Sequence, residues 1–274
     1  MITYNNMPYV GGRLGNQMFK YATLMGIAQY NGYDFGLPYE EIPCSDDKAK
    51  NCYDKTELFD CFLKLRCKDS KYNNYPRNFE RTGGFDEDFL KIPDNTDIVG
   101  FFQTEKYFKH CRNYILDEFL FKDEIYIKAQ EFIQEYDINK LVCVHVRNFT
   151  DYVQFNMNLP LEYYCRAISH FDDSHTFIIM SDDIQECRLK LKIDNAIYST
   201  NDKYVDMCIM SMIPKTIMSN STFSWWGSWL KVGNDNITIA PKNWHNENTK
   251  QCNLPWMDAP YLPLDIYCDN WILI

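Results

Sequence analysis

Short apolar runs alternating with helical spacing organise the second half of the chain. Leu141-Val-Cys-Val-His-Val146, Thr176-Phe-Ile-Ile-Met180 and Thr216-Ile-Met218 each predict a short buried strand. Between them, Leu161 to Ser169 and Ile184 to Leu191 carry apolar residues at helical spacing. Strands and helices alternating in this way form a parallel sheet, whose ligand site lies beyond the C-terminal ends of the strands. The third run sits in a strand read from Lys215 to Ser219, and Ser224 to Leu230 starts a helix directly after it.

The first half is less regular. Tyr9-Val-Gly-Gly-Arg-Leu-Gly-Asn-Gln-Met18 passes from a short strand through a glycine turn into a helix marked by Met18, Ala22, Met25 and Ile27, which closes near Gly32. The glycines permit a tight turn and close ligand approach, yet the segment is neither the G-x-G-x-x-G fingerprint nor a Walker A loop. Pro38 to Arg81 is irregular and polar, poorest in apolar residues from Lys68 to Arg77, and predicts surface loops. Asp97 to Phe102 predicts a strand, and helical patterns through about Tyr136 carry the chain onward. The expected division is therefore 1–136 and 137–274.

Composition narrows the class. A chain of 274 residues, 46% hydrophobic and 16% aromatic, has material for two ordinary cores. Its formal net charge of -10 disfavours nucleic acid and anionic lipid as partners, so any positive charge for an anionic ligand is local. Runs such as Phe177 to Met180 are too short to span a bilayer, and Met1 to Val10 has neither a basic nor an apolar signal region, so a soluble, cytoplasmic protein is expected. The eleven cysteines are odd in number and include no C-x-x-C, which predicts free thiols. Cys44, Cys52, Cys61 and Cys67 lack the close ligand pairs of zinc sites, so no metal is expected. The sequons at Asn148, Asn220 and Asn236 are read as chance matches.

Candidate chemistry gathers after the three strands. Asn220-Ser-Thr-Phe-Ser-Trp-Trp-Gly-Ser-Trp229 holds three tryptophans and a cluster of hydroxyls at a strand-to-helix turn. A helix N-terminus offers unpaired N–H groups and partial positive charge, which suits a phosphate or diphosphate; a serine cap on a tryptophan-rich core helix gives the same pattern. Arg147 follows an apolar strand, where a guanidinium offers fixed charge and bidentate geometry to a phosphate; an ion pair with Asp151 or Asp182 is the plainer alternative. His145 is either a satisfied core histidine or a group that orients a ligand. Ser181-Asp-Asp183 fits a metal site, a helix cap, or an acceptor for the N–H groups of guanine.

Taken together, five segments resemble the α-1,2-fucosyltransferases of glycosyltransferase family 11. They are Gly12-Arg-Leu-Gly-Asn-Gln-Met18, Ile98-Val-Gly-Phe-Phe-Gln-Thr-Glu-Lys-Tyr-Phe108, His145-Val-Arg147 with Asp151-Tyr152, Ser181-Asp-Asp183, and Asn220 to Leu230, in family order across nearly the whole chain. The resemblance implies an α/β fold of GT-B type, two Rossmann-like domains with the donor site in the cleft between them, GDP-fucose held mainly by the C-terminal domain and the acceptor on the N-terminal side. It also implies inversion at the fucose anomeric carbon without a metal. On this reading Arg147 contacts the diphosphate, His145 with Asp182 or Asp183 reads guanine and ribose, and Asn220, Ser221, Thr222, Phe223 and Ser224 hold the donor. Arg13 and Asn16 match donor-facing positions of related protein O-fucosyltransferases, and Asp151 is the candidate general base.

One departure stands out. The family pattern is His-x-Arg-Arg-x-Asp, but Asn148 replaces the second arginine and Phe149-Thr150 lengthens the segment by a residue before Asp151. A close ion pair is worth about 4 kcal/mol at an effective dielectric near 20, so the missing cation bears on rate or donor choice unless another, such as Arg13, substitutes. The expected activity is transfer of L-fucose from GDP-fucose, as donor substrate with no cofactor, to the 2-OH of a terminal galactose on a glycan. The alternatives are a GDP-sugar transferase with another donor or acceptor, and a catalytically weak glycan- or nucleotide-binding relative.

Overall fold

The computed structural model describes residues 1–5, 12–38, 56–70, 74–147, 157–245, 249, 253–257 and 259–274. The chain forms two compact units: Met1–Lys122 with Cys252–Tyr267, and Asp123–Gln251 with Cys268–Ile274.

The first unit is built on a five-stranded parallel sheet. Its strands are β1 (Ile2–Thr3), β2 (Phe35–Leu37), β3 (Lys68–Asp69), β4 (Arg77–Phe79) and β5 (Asp97–Val99), in the order β3-β2-β1-β5-β4. Helix α1 (Leu14–Asn31) is buried along most of its length, from Leu14 through Ala28 apart from Asn16, and Gly32 ends it in the left-handed region that a C-terminal cap requires. Among the described residues three short helices follow in this unit, α2 (Leu58–Cys61), α3 (Glu87–Leu90) and α4 (Arg112–Glu118). The strand expected at Tyr9 lies outside the described residues. The polar stretch read as surface loop from Pro38 to Arg81 instead contributes α2, β3 and β4. Both strands are sheet edges, and β3 is exposed along its whole length, so neither carries the apolar alternation that marks a strand.

The second unit opens with α5 (Asp123–Ile133) and then forms a six-stranded, all-parallel sheet. Its strands are β6 (Leu141–Val146), β7 (Thr176–Ser181), β8 (Ala196–Tyr198), β9 (Lys215–Ile217), β10 (Ile237–Ala240) and β11 (Ile272–Leu273), in the order β11-β10-β9-β6-β7-β8. Among the described residues the helices between them are α6 (Leu161–Ile168), α7 (Ile184–Lys190), α8 (Lys203–Met212) and α9 (Thr222–Trp229). The three predicted strands are the central ones, because a strand covered on both faces reads as a continuous apolar run. Val142, Val144, Ile179, Ile217 and Ile239 pack with Tyr163, Tyr164 and Ala167 of α6 in one core. Helix α8 packs on both α5 and α9. The division expected near Asp137 is thereby corrected: α5 is an amphipathic helix that packs within the second unit, so that unit starts before it.

Candidate active site

Register alone sets much of the site. Strand β6 pairs with β7 on one side and β9 on the other, aligning His145 with Met180, Val146 with Ser181 and Val144 with Ile217. The residues after these three strands therefore share one edge of the sheet. Arg147 Nη1 stands 3.4 Å from Asp182 Oδ2, both side chains largely buried. The plainer alternative for Arg147, an ion pair with Asp182, is thus present.

Asp183 caps α7 by accepting from the Glu186 N–H at 2.9 Å, and its own N–H donates to Ser181 Oγ at 3.0 Å. The Ser181-Asp-Asp183 segment therefore divides its labour, one carboxylate on the guanidinium and the next on a helix. Among the described residues no group of three His, Cys, Asp or Glu side chains is placed to hold a metal ion.

His145 is buried, with Nδ1 2.9 Å from Ser219 Oγ and its ring 5.2 Å from that of Phe223. Burial, with the Arg147 charge adding to it, pushes its pKa down to about 3. The ring is neutral near pH 7, a hydrogen-bonding group and not a proton carrier.

The turn into α9 is made by its own hydroxyls. Ser221, with extended backbone, accepts from the Phe223 N–H at 3.3 Å as the helix N-cap. Ser224 is fully buried and its Oγ donates to the carbonyls of Ser219 and Ser221 at 3.3 and 3.2 Å, so this hydroxyl serves the turn itself. Asn220 is buried and its Nδ2 donates to the Met157 and Trp244 carbonyls at 2.8 and 2.9 Å, tying two neighbouring segments to the strand end. A glycan on Asn220 would not fit this buried, doubly bonded position. Thr222 and Phe223 are half-buried at the helix entrance. Below them Trp225 and Trp226 are fully buried and pack with Trp229 and Trp271, so the tryptophans are core.

Arg13 and Asn16 lie in the first unit, at the start of α1. Arg13 occupies the N-cap position without capping through its side chain, and Glu57 Oε2 accepts the Leu14 N–H at 2.7 Å in its place. Gly12, at φ +142°, is required there: an added Cβ would fall 2.3 Å from Asn16 Cβ. Asn16 Oδ1 accepts from Gln103 Nε2 at 2.9 Å. Asp151 and Asn148 lie outside the described residues. Ser219 and Gln103, the partners of His145 and Asn16, were not singled out from the sequence; Gln103 stood in view within the mid-chain motif. A cavity of about 390 Å³ opens at the start of β7, between Phe171, Phe177 and Ile193, and none of the site residues lines it.

The fold has solved counterparts. The structure of POFUT1 in complex with GDP-fucose matches 87% of this chain and 97% of its own, with a TM-score of 0.55 at 16% identity. Two units with all-parallel sheets, matched to such a structure, define a glycosyltransferase fold of the GT-B class. The chain belongs to glycosyl transferase family 11, whose family pattern matches residues 3–271. It is 27% identical to an α-1,2-colitosyltransferase of Escherichia coli over 86% of this chain and 90% of that protein. It is likewise 27% identical to galactoside α-(1,2)-fucosyltransferase 2 of Rattus norvegicus over 99% of this chain and 76% of that one. It is thus a family-11 glycosyltransferase, similar to α-1,2-linking fucosyl- and colitosyltransferases.

Proposed function

We propose that the protein transfers L-fucose from GDP-fucose, with inversion, to the 2-OH of a terminal galactose on a glycan. The observation that carries the reading is the shared edge of β6, β7 and β9, which places Arg147, the Asp182 carboxylate and the N-terminus of α9 together. In such a transfer the acceptor oxygen bonds to the anomeric carbon as the bond to the β-phosphate oxygen breaks, and the electron pair leaves on the diphosphate. A preorganised cation and N–H groups act where that charge develops, and they stabilise the transition state more than the ground state. Arg147 is the leading candidate, reached by the diphosphate in place of, or beside, Asp182. Asp182 and the His145 ring are assigned to the guanine and ribose side, with Thr222 and Phe223 at the helix entrance. Asp151 is assigned by resemblance as the group that takes the acceptor proton.

Arg13 and Asn16 are assigned to the substrates by resemblance. With charge neutralised by fixed protein groups, turnover is expected to be independent of metal. The eight described cysteines are all free, which suits a reducing, cytoplasmic setting.

A second reading keeps the site and changes the sugar. The similarity to an α-1,2-colitosyltransferase favours colitose in place of fucose. Purified protein given GDP-fucose and a galactose-terminated acceptor array, with linkage analysis and an EDTA arm, tests the proposal. An α-1,2-fucosylated product formed at an unchanged rate in EDTA supports it. Transfer only from another GDP-sugar selects the second reading, binding without turnover defeats both, and loss of rate in EDTA restored by Mn²⁺ overturns metal independence.

A further inference from the structure

The mid-chain motif from Ile98 to Phe108 has no part in the chemistry assigned so far, yet the first unit commits several buried polar groups to it. After β5 the chain turns through Gly100, Phe101 and Phe102. Glu80, the residue following β4, is buried, and both of its oxygens hold this turn. Its Oε2 accepts from the Phe101 N–H at 2.7 Å and its Oε1 from the Phe102 N–H at 3.1 Å. Tyr4, the residue following β1, holds Gly100 from the other side, donating its hydroxyl to the carbonyl at 2.5 Å and accepting from the N–H at 3.1 Å.

Between these clamps Phe102 is held at φ 52°, a left-handed conformation uncommon for a bulky residue and costing on the order of 1–3 kcal/mol. The ring is fully buried against Tyr4, Phe89 and Tyr107, which helps offset that cost. The next residue is Gln103, itself 7% exposed, whose Nε2 donates to Asn16 Oδ1 at 2.9 Å in the first turn of α1. Apolar residues would fill this space without the cost of burying a carboxylate and an amide. The series of polar contacts ends on one side chain of a candidate substrate-binding segment. A donor on the Asn16 oxygen fixes which way the amide faces, so the contact sets on which side its acceptor and its N–H₂ donor lie.

We infer that Gln103 is a positioning residue for glycosyl transfer: it fixes the orientation of the Asn16 amide, and Glu80 fixes the turn that delivers it. The inference rests on the assignment of Asn16 to substrate binding made above. Gln103→Glu keeps the length of the side chain but turns its donor into an acceptor, so Asn16 must rotate to present its N–H₂ to it. Gln103→Met keeps the volume and offers no N–H donor.

The experiment is steady-state kinetics of both variants, of Asn16→Ala and of the double variant Asn16→Ala with Gln103→Glu, with melting temperatures alongside. Gln103→Glu is expected to lower kcat about 10- to 100-fold, since a small misplacement of bound reactants costs that much, with KM changed far less. Gln103→Met is expected to fall between it and the unsubstituted enzyme. The double variant is expected to be no slower than Asn16→Ala, because Gln103 acts through Asn16. Unimpaired Gln103 variants beside an impaired Asn16→Ala, or losses that multiply in the double variant, overturn the inference alone. If Gln103→Glu fails to fold, Gln103→Met decides on the same criteria. An unimpaired Asn16→Ala overturns the assignment of Asn16 and this inference with it, and an unsubstituted enzyme that transfers no sugar from any GDP donor overturns the proposed function as well.

Discussion

The Arg147 guanidinium and the Asp182 carboxylate stand 3.4 Å apart at the ends of two neighbouring parallel strands. Each neutralises the other in a largely buried position, where an unpartnered charge is costly. On the proposed function, a diphosphate arriving at this edge competes with Asp182 for the same cation. Arg147→Ala is therefore expected to lower kcat by about 10²–10³-fold, the usual cost of losing one preorganised donor to developing negative charge. Arg147→Lys should recover only part of the loss, because an ammonium cannot make the bidentate contact. Near-normal kcat in Arg147→Ala, with the circular dichroism spectrum retained, would show that the pair is structural only.

His145 supplies a pH signature. Its pKa is driven down to about 3, first by burial and then by the Arg147 charge, so the folded state resists protonation while the unfolded state takes up a proton near pH 6.5. A group depressed in this way contributes stability above its unfolded pKa and loses it as pH falls from about 6.5 toward 3. Unfolding curves at pH 7 and pH 5 should contain a destabilising difference at pH 5 carried by His145, set against the opposite contribution of the raised Asp206 and Glu80 carboxyls. In His145→Asn, which keeps a polar partner for Ser219, that difference should shrink; an unchanged difference would assign the acid sensitivity elsewhere.

Asp206 works in the opposite direction. It lies on α8, accepts from Ser199 Oγ at 2.5 Å, and burial raises its pKa to about 7 against the relief given by Ser199 and Asn201. A carboxyl raised in this way is most favourable to folding below its unfolded pKa, and the contribution is lost as pH rises from about 4 to about 7. Asp206→Asn, which keeps an acceptor for Ser199, should gain stability at pH 8 relative to its effect at pH 4, by at most about 4 kcal/mol for a shift of that size. Chemical denaturation at the two pH values measures the difference, and an equal effect at both would contradict the assignment.

Gly26 tests the packing of the mid-chain motif on α1. An added Cβ there would lie 2.2 Å from the Tyr107 carbonyl oxygen, a backbone atom that yields only if the chain shifts. Alanine in place of a helical glycine gains about 1 kcal/mol in propensity, while overpacking a tight contact costs about 1–3 kcal/mol. Because the contact is with backbone, Gly26→Ala is expected to lower the melting temperature. A higher melting temperature would show that the turn at Tyr107 moves freely.

Central strands and covered helices were legible without the structure. Val142, Val144, Ile178 and Ile179 are buried on a sheet sealed on both faces, so their strands read as apolar runs wherever they sit, and Gly32 marks the end of α1 by local geometry alone. The polar residues at the strand ends were legible for the same reason, since Arg147, Asp182 and Ser221 break runs that are otherwise apolar. Edge strands such as β3 were not, because exposure removes the pattern that names a strand.

Pairing was decided only by tertiary structure. His145 meets Ser219 across 74 positions of sequence and Gln103 meets Asn16 across 87, and each meeting depends on which strands lie side by side and how a turn is clamped. Residue type establishes what a side chain is able to do, through its charge, its donors and its size. Strand order and register decide which partner it does it with, because those distances are set by the whole sheet and by no single segment of the chain.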